Sequence, residues 1–248
     1  MMIAVCSAKS SPGVTTTTAL LATTAPRRSV LFEADPSGGT LVAWWAPVRG
    51  VSYEPGLISL AATRDPITTS VFDAHSQPVS ERARLVAAPP HPRQVRTALA
   101  SIGERANTML ATTAESDVFV DCGRIDAASP AMEFVRRADA TLLVMRPRLA
   151  DISVAETAAA MLRDDTTRVL LVCVGDGPYA PSDVSSHLGL ELAGVIADDP
   201  RAAEILAMYG PTARGLSRSR LWRTTAELSR TLTAPTAPID VEHLGVSV

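Results

Sequence analysis

The sequence predicts an α/β fold, namely a doubly wound, mostly parallel sheet with helices on both faces. Short apolar segments alternate along the chain with segments of helical periodicity, as expected when crossover helices link parallel strands. The apolar segments are continuous runs of aliphatic and β-branched residues, which is typical of strands covered on both faces. With 248 residues, 46% of them hydrophobic, the chain can bury one sizeable core.

These runs and the apolar spacing between them define the individual elements. The predicted strands are Met2–Cys6, Ser29–Glu33, Arg84–Ala87, Val118–Asp121, Ala140–Arg146, Val169–Val174 and Leu192–Ile196. The predicted helices are Thr15–Thr24, Arg93–Ala111, Ser129–Arg137, Asp151–Arg163, Pro181–Leu188, Ala202–Tyr209 and Arg220–Leu232. Together they predict a single domain over residues 1–234, followed by a flexible C-terminal tail over residues 235–248.

Residues 44–80 lack a regular pattern and are predicted to form an irregular insertion. The segment contains several prolines, a Trp44–Trp45 pair that we expect to be exposed, and Tyr53. Short helices at Gly56–Ala62 and Ile67–Phe72 are compatible with its spacing. We interpret this segment as a surface that faces a partner protein, with the aromatic side chains as anchors.

Composition and charge exclude several classes of protein. A formal net charge of -3 argues against a protein that coats nucleic acid with its whole surface. Cys6, Cys122 and Cys173 are far apart and flanked by apolar residues, so we expect buried thiols rather than a disulfide framework or a zinc site. No segment resembles a secretory signal or reaches the ~20 apolar residues of a membrane helix. We therefore expect a cytoplasmic protein that a partner can recruit to the membrane or the cell pole.

The residues after the first strand carry the functional signal. Cys6-Ser7-Ala8-Lys9-Ser10-Ser11-Pro12-Gly13-Val14-Thr15-Thr16 connects a predicted strand to a predicted helix and consists mostly of small residues. Such a connection is suited to phosphate binding, because the backbone N–H groups of the loop and of the helix N-terminus converge on an anion. The ordinary phosphate-loop pattern G-x-x-x-x-G-K-[ST] does not match. Lys9 is the single lysine of the chain, which favours a functional role over that of a solvated side chain.

This loop resembles the deviant Walker A motif of the MinD/ParA family of P-loop NTPases, K-G-G-x-G-K-T-[TS]. Lys9 matches the early signature lysine, which in that family reaches across a dimer to the partner's nucleotide, and Gly13 and Thr15 also match. Ser10 and Ser11 replace two glycines, and Val14 replaces the main phosphate-binding lysine. The resemblance implies a nucleotide-binding loop formed by Lys9, Ser10, Ser11, Pro12, Gly13, Val14, Thr15 and Thr16.

Further segments resemble the same family in the same order. Val30–Gly39 resembles the second strand and its acidic turn, where Asp35 would orient water or magnesium. Asp117–Gly123 resembles the Walker B strand, in which Asp121 would join Thr15 as a magnesium ligand. The segments 138–147 and 192–199 resemble later strands of the fold. The resemblance implies ATP and Mg²⁺ as cofactors, with Lys9 and Asp35 as the catalytic candidates.

Two departures from the family predict a weakened site. The Asn-Arg pair that contacts adenine in the family is absent, since Gly175 and Asp176 follow the strand at Val169–Val174. Loss of the charge at Val14 removes a charge-assisted hydrogen bond, which costs about 1.5–3 kcal/mol, or about 10–150-fold in affinity. Removal of one preorganised transition-state stabiliser costs on the order of 100–1,000-fold in rate. The alternatives remain that Asp35 is only a turn former, that Asp121 is a cap, and that Thr15 is a polar helix start.

The predicted C-terminal helix and the residues just before it form a basic surface that includes Arg214, Arg218, Arg220 and Arg223. These arginines are either solvated side chains of a docked helix or a surface for nucleic acid, acidic lipid or a partner.

Our leading hypothesis from the sequence is a spatial organiser or assembly factor with weak or absent ATP hydrolysis. The eroded loop resembles TadZ/CpaE-like proteins, which localise a pilus or secretion machine, and the arginine-rich composition resembles MinD-like proteins of high-GC actinobacteria. The resemblance implies a homodimer with protein partners in a membrane-associated machine. The alternatives are an active ATP-dependent dimerisation switch, a DNA-binding partition protein, and, ranked last, a ligase or synthetase of the same superfamily.

Overall fold

The computed structural model describes residues 1–9, 12–103, 105, 115–166 and 168–233. These residues form one sheet with the strand order β3-β4-β2-β5-β1-β6-β7-β8. The strands are β1 (Met2–Ser7), β2 (Ser29–Glu33), β3 (Gln77–Pro78), β4 (Ala83–Val86), β5 (Asp117–Arg124), β6 (Ala140–Met145), β7 (Val169–Val174) and β8 (Glu191–Ile196). All neighbouring strands are parallel except for β3 and β4, which are antiparallel.

Helices cover both faces of this sheet, as the predicted fold class requires. They are α1 (Val14–Thr24), α2 (Leu41–Arg49), α3 (Leu57–Ala62), α4 (Thr69–Ala74), α5 (Pro92–Gly103), α6 (Met132–Val135), α7 (Leu149–Asp165), α8 (Pro181–Leu188), α9 (Pro200–Tyr209) and α10 (Arg220–Thr233), with a 3-10 turn at Leu216–Arg218 before α10. Successive residues of β1 point to opposite faces, so that Cys6 packs with α3 to α8 while Val5 packs with α1, α2, α9 and α10. The doubly wound α/β prediction is confirmed.

Each predicted strand coincides with an observed strand to within a few residues at its ends. Strand β3 was not predicted, because two residues are too short to show a period. The helix predicted over Ser129–Arg137 is reduced to the four residues of α6. Part of the helix predicted over Arg93–Ala111, namely residues 104 and 106–111, lies outside the described residues, as does the tail at 235–248. No helix of the described ranges is long and apolar enough to cross a membrane.

The segment 44–80 is more regular than its sequence suggests. It contains α3, α4, strand β3 and most of α2. Leu57, Leu60 and Phe72 belong to the apolar core. The prediction that the tryptophan pair is exposed is wrong for Trp45, which has 0% of its surface exposed and whose indole Nε1–H donates to the Leu206 carbonyl at 2.9 Å. Trp44 is half-buried.

Helix α2 was not predicted because its start depends on a contact from elsewhere in the chain. The buried carboxylate of Glu33, at the end of β2, accepts hydrogen bonds from the N–H groups of Thr40 (2.7 Å) and Leu41 (2.9 Å). Its second oxygen accepts from Ala88 N–H at 2.9 Å. A carboxylate at a helix N-terminus satisfies unpaired N–H groups and interacts favourably with the helix dipole. Burial raises the pKa of Glu33, and these hydrogen bonds oppose the increase.

We predict that Trp45→Ala lowers the free energy of unfolding by about 3–5 kcal/mol, because a large, fully buried side chain is removed and leaves a cavity. Trp44→Ala is the matched control, since its side chain is half-buried and a smaller loss is expected. Urea denaturation followed by circular dichroism measures both values. An equal loss in the two variants would contradict the assignment of Trp45 to the core.

Candidate functional site

A cleft of about 520 Å³ lies at the carboxyl ends of β1, β2 and β5. The chain winds from β1 toward one edge of the sheet through β2 and β4, and from β6 toward the other edge. Ligands of open α/β sheets bind at the carboxyl ends of the strands, where the winding direction reverses. The lining residues are Ser7, Pro12, Gly13, Val14, Thr15, Thr16, Asp35, Pro36, Ser37, Trp44, Arg96, Gly123, Arg124, Asp126 and Ser129.

The loop between β1 and α1 forms one wall of the cleft. Gly13 adopts a left-handed conformation with φ of +95°, which favours glycine, and its carbonyl accepts the first helical hydrogen bond from Thr17 N–H at 2.8 Å. A Cβ at Gly13 would have no atom of the described residues within 4 Å apart from its own chain neighbours, so the space beside Gly13 is open. Within the described ranges, no side chain caps the N-terminus of α1. The N–H groups of its first turn are therefore available to an anion. The candidates Ser10 and Ser11 lie outside the described residues.

Val14 is the first residue of α1 and contributes no charge to this wall. Its side chain is 6% exposed and packs with the apolar cluster under α1, while the residue also lines the cleft. A cation is therefore missing from the one position where the resemblance places the phosphate-binding lysine. Among the described residues, the loop and the first turn of α1 contribute backbone groups and the hydroxyl groups of Ser7, Thr15 and Thr16 to the cleft.

Thr15, which lines the cleft, forms a pair with Asp121, which is buried and does not itself line the cleft. Asp121 has 2% of its surface exposed and accepts from Gly123 N–H at 3.1 Å. Burial is the main cause that raises its pKa from 3.8 to about 7; a hydrogen bond with the Thr15 side chain opposes the increase, and the charges of Asp35 and Glu33 add to it. Hydroxyl and carboxylate oxygens are the ligands that Mg²⁺ prefers, and a bound cation would favour the ionised carboxylate. This donor pair fits Mg²⁺.

Asp35 lies on the opposite wall and depends on Gly123. A Cβ at Gly123, whose φ is +58°, would lie 2.2 Å from the Asp35 carboxyl carbon, so a larger residue at position 123 would displace the Asp35 carboxylate. The Asp35 carboxylate also accepts from Ser37 N–H at 2.8 Å. Asp35 therefore lines the cleft, and its carboxylate also stabilises the turn that follows β2.

Lys9 does not line this cleft. Its side chain is 49% exposed and forms an ion pair with Asp151 of α7 at 3.5 Å, beside a separate cavity of about 30 Å³. Within one chain, Lys9 therefore lies outside the cleft that is lined by Pro12, Gly13, Val14, Thr15, Thr16 and Asp35, although Pro12 also lines the small cavity beside Lys9.

The side of the loop that faces β7 and β8 leaves little room for a base. Gly175, with φ of +71°, follows β7, and a Cβ there would lie 2.7 Å from Asp198 Cβ. Arg146 holds Asp198 through two contacts of 2.5 and 3.3 Å. The cavity between these residues and the loop has a volume of about 100 Å³. An asparagine at position 175 would not fit this arrangement.

Several residues that line the cleft belong to none of the sequence motifs. Arg124 directly follows the segment Asp121–Gly123, so its position next to the Walker B-like motif was a usable signal. Arg96 lies on α5 and its sequence context gives no signal, since the fold alone brings α5 to the cleft.

The predicted basic surface is exposed. Arg214, Arg218, Arg220 and Arg223 lie in and before the 3-10 turn and in α10, all with exposed side chains. Within the described ranges, none of the four has a carboxylate within 4.0 Å of its guanidinium group.

No protein-family model and no curated protein matches the sequence. Solved structures are similar to it, among them a ParA family ATPase from Chlorobium tepidum (TM-score 0.73, 16% identity, covering 92% of this chain and 96% of that chain). Two others contain nucleotides. MinD from Pyrococcus horikoshii with Mg-ADP has a TM-score of 0.67 at 16% identity, covering 94% and 96% of the two chains. A McdA variant from Cyanothece with ATP has a TM-score of 0.68 at 14% identity, covering 95% and 97%.

The chain has the fold of the MinD and ParA ATPases. The likeness extends over nearly the whole of each chain, while the identity is too low to carry over more than the fold. The expected P-loop NTPase-like architecture is therefore confirmed.

We predict that Asp121→Asn changes the pH dependence of stability. Because the pKa of Asp121 is raised to about 7 in the folded protein, the folded state binds the proton more tightly, and the free energy of unfolding falls as the pH rises between about 4 and about 7. Asparagine does not titrate, so the free energy of unfolding of the variant does not fall for this reason. Its stability relative to the parent should therefore increase by roughly 2–3 kcal/mol between pH 5 and pH 8.

Urea titrations at the two pH values measure this difference. Asp126→Asn, which removes one exposed carboxylate from the same cleft, controls for the change in net charge. An equal stability difference for Asp121→Asn at pH 5 and pH 8 would contradict the raised pKa.

Proposed function

We propose that this protein is a spatial organiser or assembly factor whose cleft binds Mg-nucleotide weakly and hydrolyses it slowly or not at all. The observation that carries the proposal is Val14, a buried apolar residue at the first position of α1 where it lines the cleft. The open loop at Gly13 and the Thr15–Asp121 pair support retained binding, while the uncharged position 14 supports reduced affinity and turnover.

In this proposal the chain's own residues hold the ligand without contributing much to catalysis. The N–H groups of the first turn of α1 bind phosphate oxygens, and Thr15 and Asp121 hold the magnesium ion. When bound, that ion would neutralise charge on the phosphates. Asp35, on the opposite wall, orients water. Turnover depends on stabilising charge that develops in the transition state, so loss of the lysine affects rate more than binding.

A protein with a slow site acts through the complexes that it forms. We propose a homodimer in which the exposed Lys9 reaches the partner's cleft, and this is supported by its position outside the cleft of its own chain. The proposed partners are proteins of a membrane-associated machine, such as a pilus or secretion machine of the TadZ/CpaE kind, which would recruit the protein to a membrane or cell pole.

One observation favours a second candidate function. The exposed arginines Arg214, Arg218, Arg220 and Arg223 present a basic surface of the kind that contacts a DNA backbone, as in a partition protein. Binding to DNA of unrelated sequence that falls with salt and weakens uniformly in Arg→Ala variants would favour this function.

The proposal predicts a gain of affinity when the missing charge is restored. We expect Val14→Lys to bind Mg-ATP about tenfold or more tightly than the parent, because a charge-assisted hydrogen bond to phosphate is regained. Val14→Met is the matched control, because methionine is similar in length to lysine but uncharged. This variant should bind Mg-ATP like the parent. Calorimetric titration measures the affinities, and phosphate release measures turnover.

Three outcomes separate the hypotheses. Parent protein that binds Mg-ATP weakly with slow or undetectable turnover supports the proposal. Robust turnover that disappears in Lys9→Ala would replace it with the active dimerisation switch. No binding of Mg-ATP at millimolar concentration would refute the nucleotide site and leave the organiser role to the unliganded fold.

The small cavity next to β7 and β8 predicts weak discrimination between bases. Since ligand pockets usually have volumes of ~300–1,000 Å³, a cavity of about 100 Å³ closed by Arg146 and Asp198 encloses little of a purine. We expect the dissociation constants of Mg-ATP and Mg-GTP to agree within about threefold in competition titrations. A preference of more than tenfold for ATP would show that the base is recognised in another way.

A further inference from the structure

The charge that Val14 lacks is available elsewhere in the cleft. Of the basic side chains around the loop, two are bound to carboxylates that do not line the cleft: Lys9 to Asp151 and Arg146 to Asp198. Two others, Arg96 and Arg124, line the cleft itself. Both have exposed side chains, and within the described ranges neither has a carboxylate within 4.0 Å.

Arg124 is fixed in position by the sheet. Its backbone pairs in register with Ser7, the last residue of β1 before the loop, and the next residue, Ile125, donates its N–H to the Ser7 carbonyl at 3.0 Å. The backbone of Arg124 is therefore held next to the end of β1, from which the loop starts. Its guanidinium group adds a positive charge to the cleft, next to the N–H groups of the first turn of α1.

Arg96 approaches from the opposite side. It lies on α5, whose buried residues Val95 and Leu99 fix the helix against the core. The segment leading into α5 contacts the Asp35 turn, because Gly39 N–H donates to the Pro89 carbonyl at 2.9 Å. Arg96 and Arg124 thus belong to two different walls of one cleft. Gly13 lines the same cleft, and the space beside it is open.

We propose that Arg96 and Arg124 bind the phosphate chain of the ligand and replace the missing lysine as the source of positive charge. Guanidinium groups pair with phosphate oxygens through two parallel hydrogen bonds and remain charged at any physiological pH. The ligand class is a di- or triphosphate chain, carried by a nucleotide or present as free polyphosphate. This inference rests on the proposed function for its site and adds the residues that supply affinity there.

The test compares charge-neutralising variants on the full-length protein. Binding of Mg-ATP is titrated for the parent, Arg96→Gln, Arg124→Gln, the double variant and Arg93→Gln. Arg93 is the matched control, since it lies on α5 with an exposed side chain but does not line the cleft. We expect each single cleft variant to bind about tenfold or more weakly, the double variant about 100-fold or more weakly, and Arg93→Gln to bind like the parent.

A second readout and a second probe keep the outcomes distinct. Raising the NaCl concentration should weaken binding by the parent more steeply than binding by the double variant, because two charges are lost from the cleft. Affinities of the cleft variants within threefold of the parent would overturn the inference. If the parent binds inorganic tripolyphosphate through these arginines but does not bind Mg-ATP, the inference stands and the nucleotide site of the proposed function fails.

Discussion

The buried carboxylate of Glu33 holds three parts of the chain together at the edge of the cleft. It connects the end of β2 to the start of α2 and to Ala88, just beyond β4. Burial of a charge is costly unless its oxygens are satisfied, and here three N–H groups satisfy them. Gly39 allows the approach, since a Cβ there would lie 2.1 Å from the Ala88 carbonyl oxygen. The wall that carries Asp35 and leads to α5 depends on this junction.

The Glu33 junction illustrates which elements could be predicted from the sequence and which could not. Strands such as β1 and β6 could be predicted because a buried parallel strand is a continuous apolar run, whatever its neighbours are. Helix α2 could not, because its N-terminus is stabilised by a residue eight positions earlier and its Trp45 bonds to Leu206. The site follows this rule. Gly13, Thr15 and Asp35 belong to local motifs, whereas Arg96 reaches the cleft only through packing of α5.

The charges of the cleft would couple the binding of a divalent cation to the binding of a phosphate group. Asp121 is buried with a raised pKa, so it is partly protonated near neutral pH when no cation is bound. A divalent cation would displace that proton, because metal binding requires the ionised ligand. In the proposed site, phosphate would bring negative charge toward Arg96 and Arg124, and the cation would offset the carboxylates of Asp121 and Asp35. Each ligand would then reduce the cost of binding the other.

The reactivity of the three buried thiols reports local opening of the sheet. Cys6, Cys122 and Cys173 lie on β1, β5 and β7, and all three are buried, as the sequence indicated. Burial raises the pKa of Cys6 to about 12 and that of Cys173 to about 11, so the reactive thiolate is scarce in the closed state. An alkylating reagent can modify a strand only during its exposure to solvent. The labelling rate at each cysteine therefore reports the opening of one strand. A ligand that stabilises the closed sheet next to the loop would lower the rate at Cys6, which lies just before the loop.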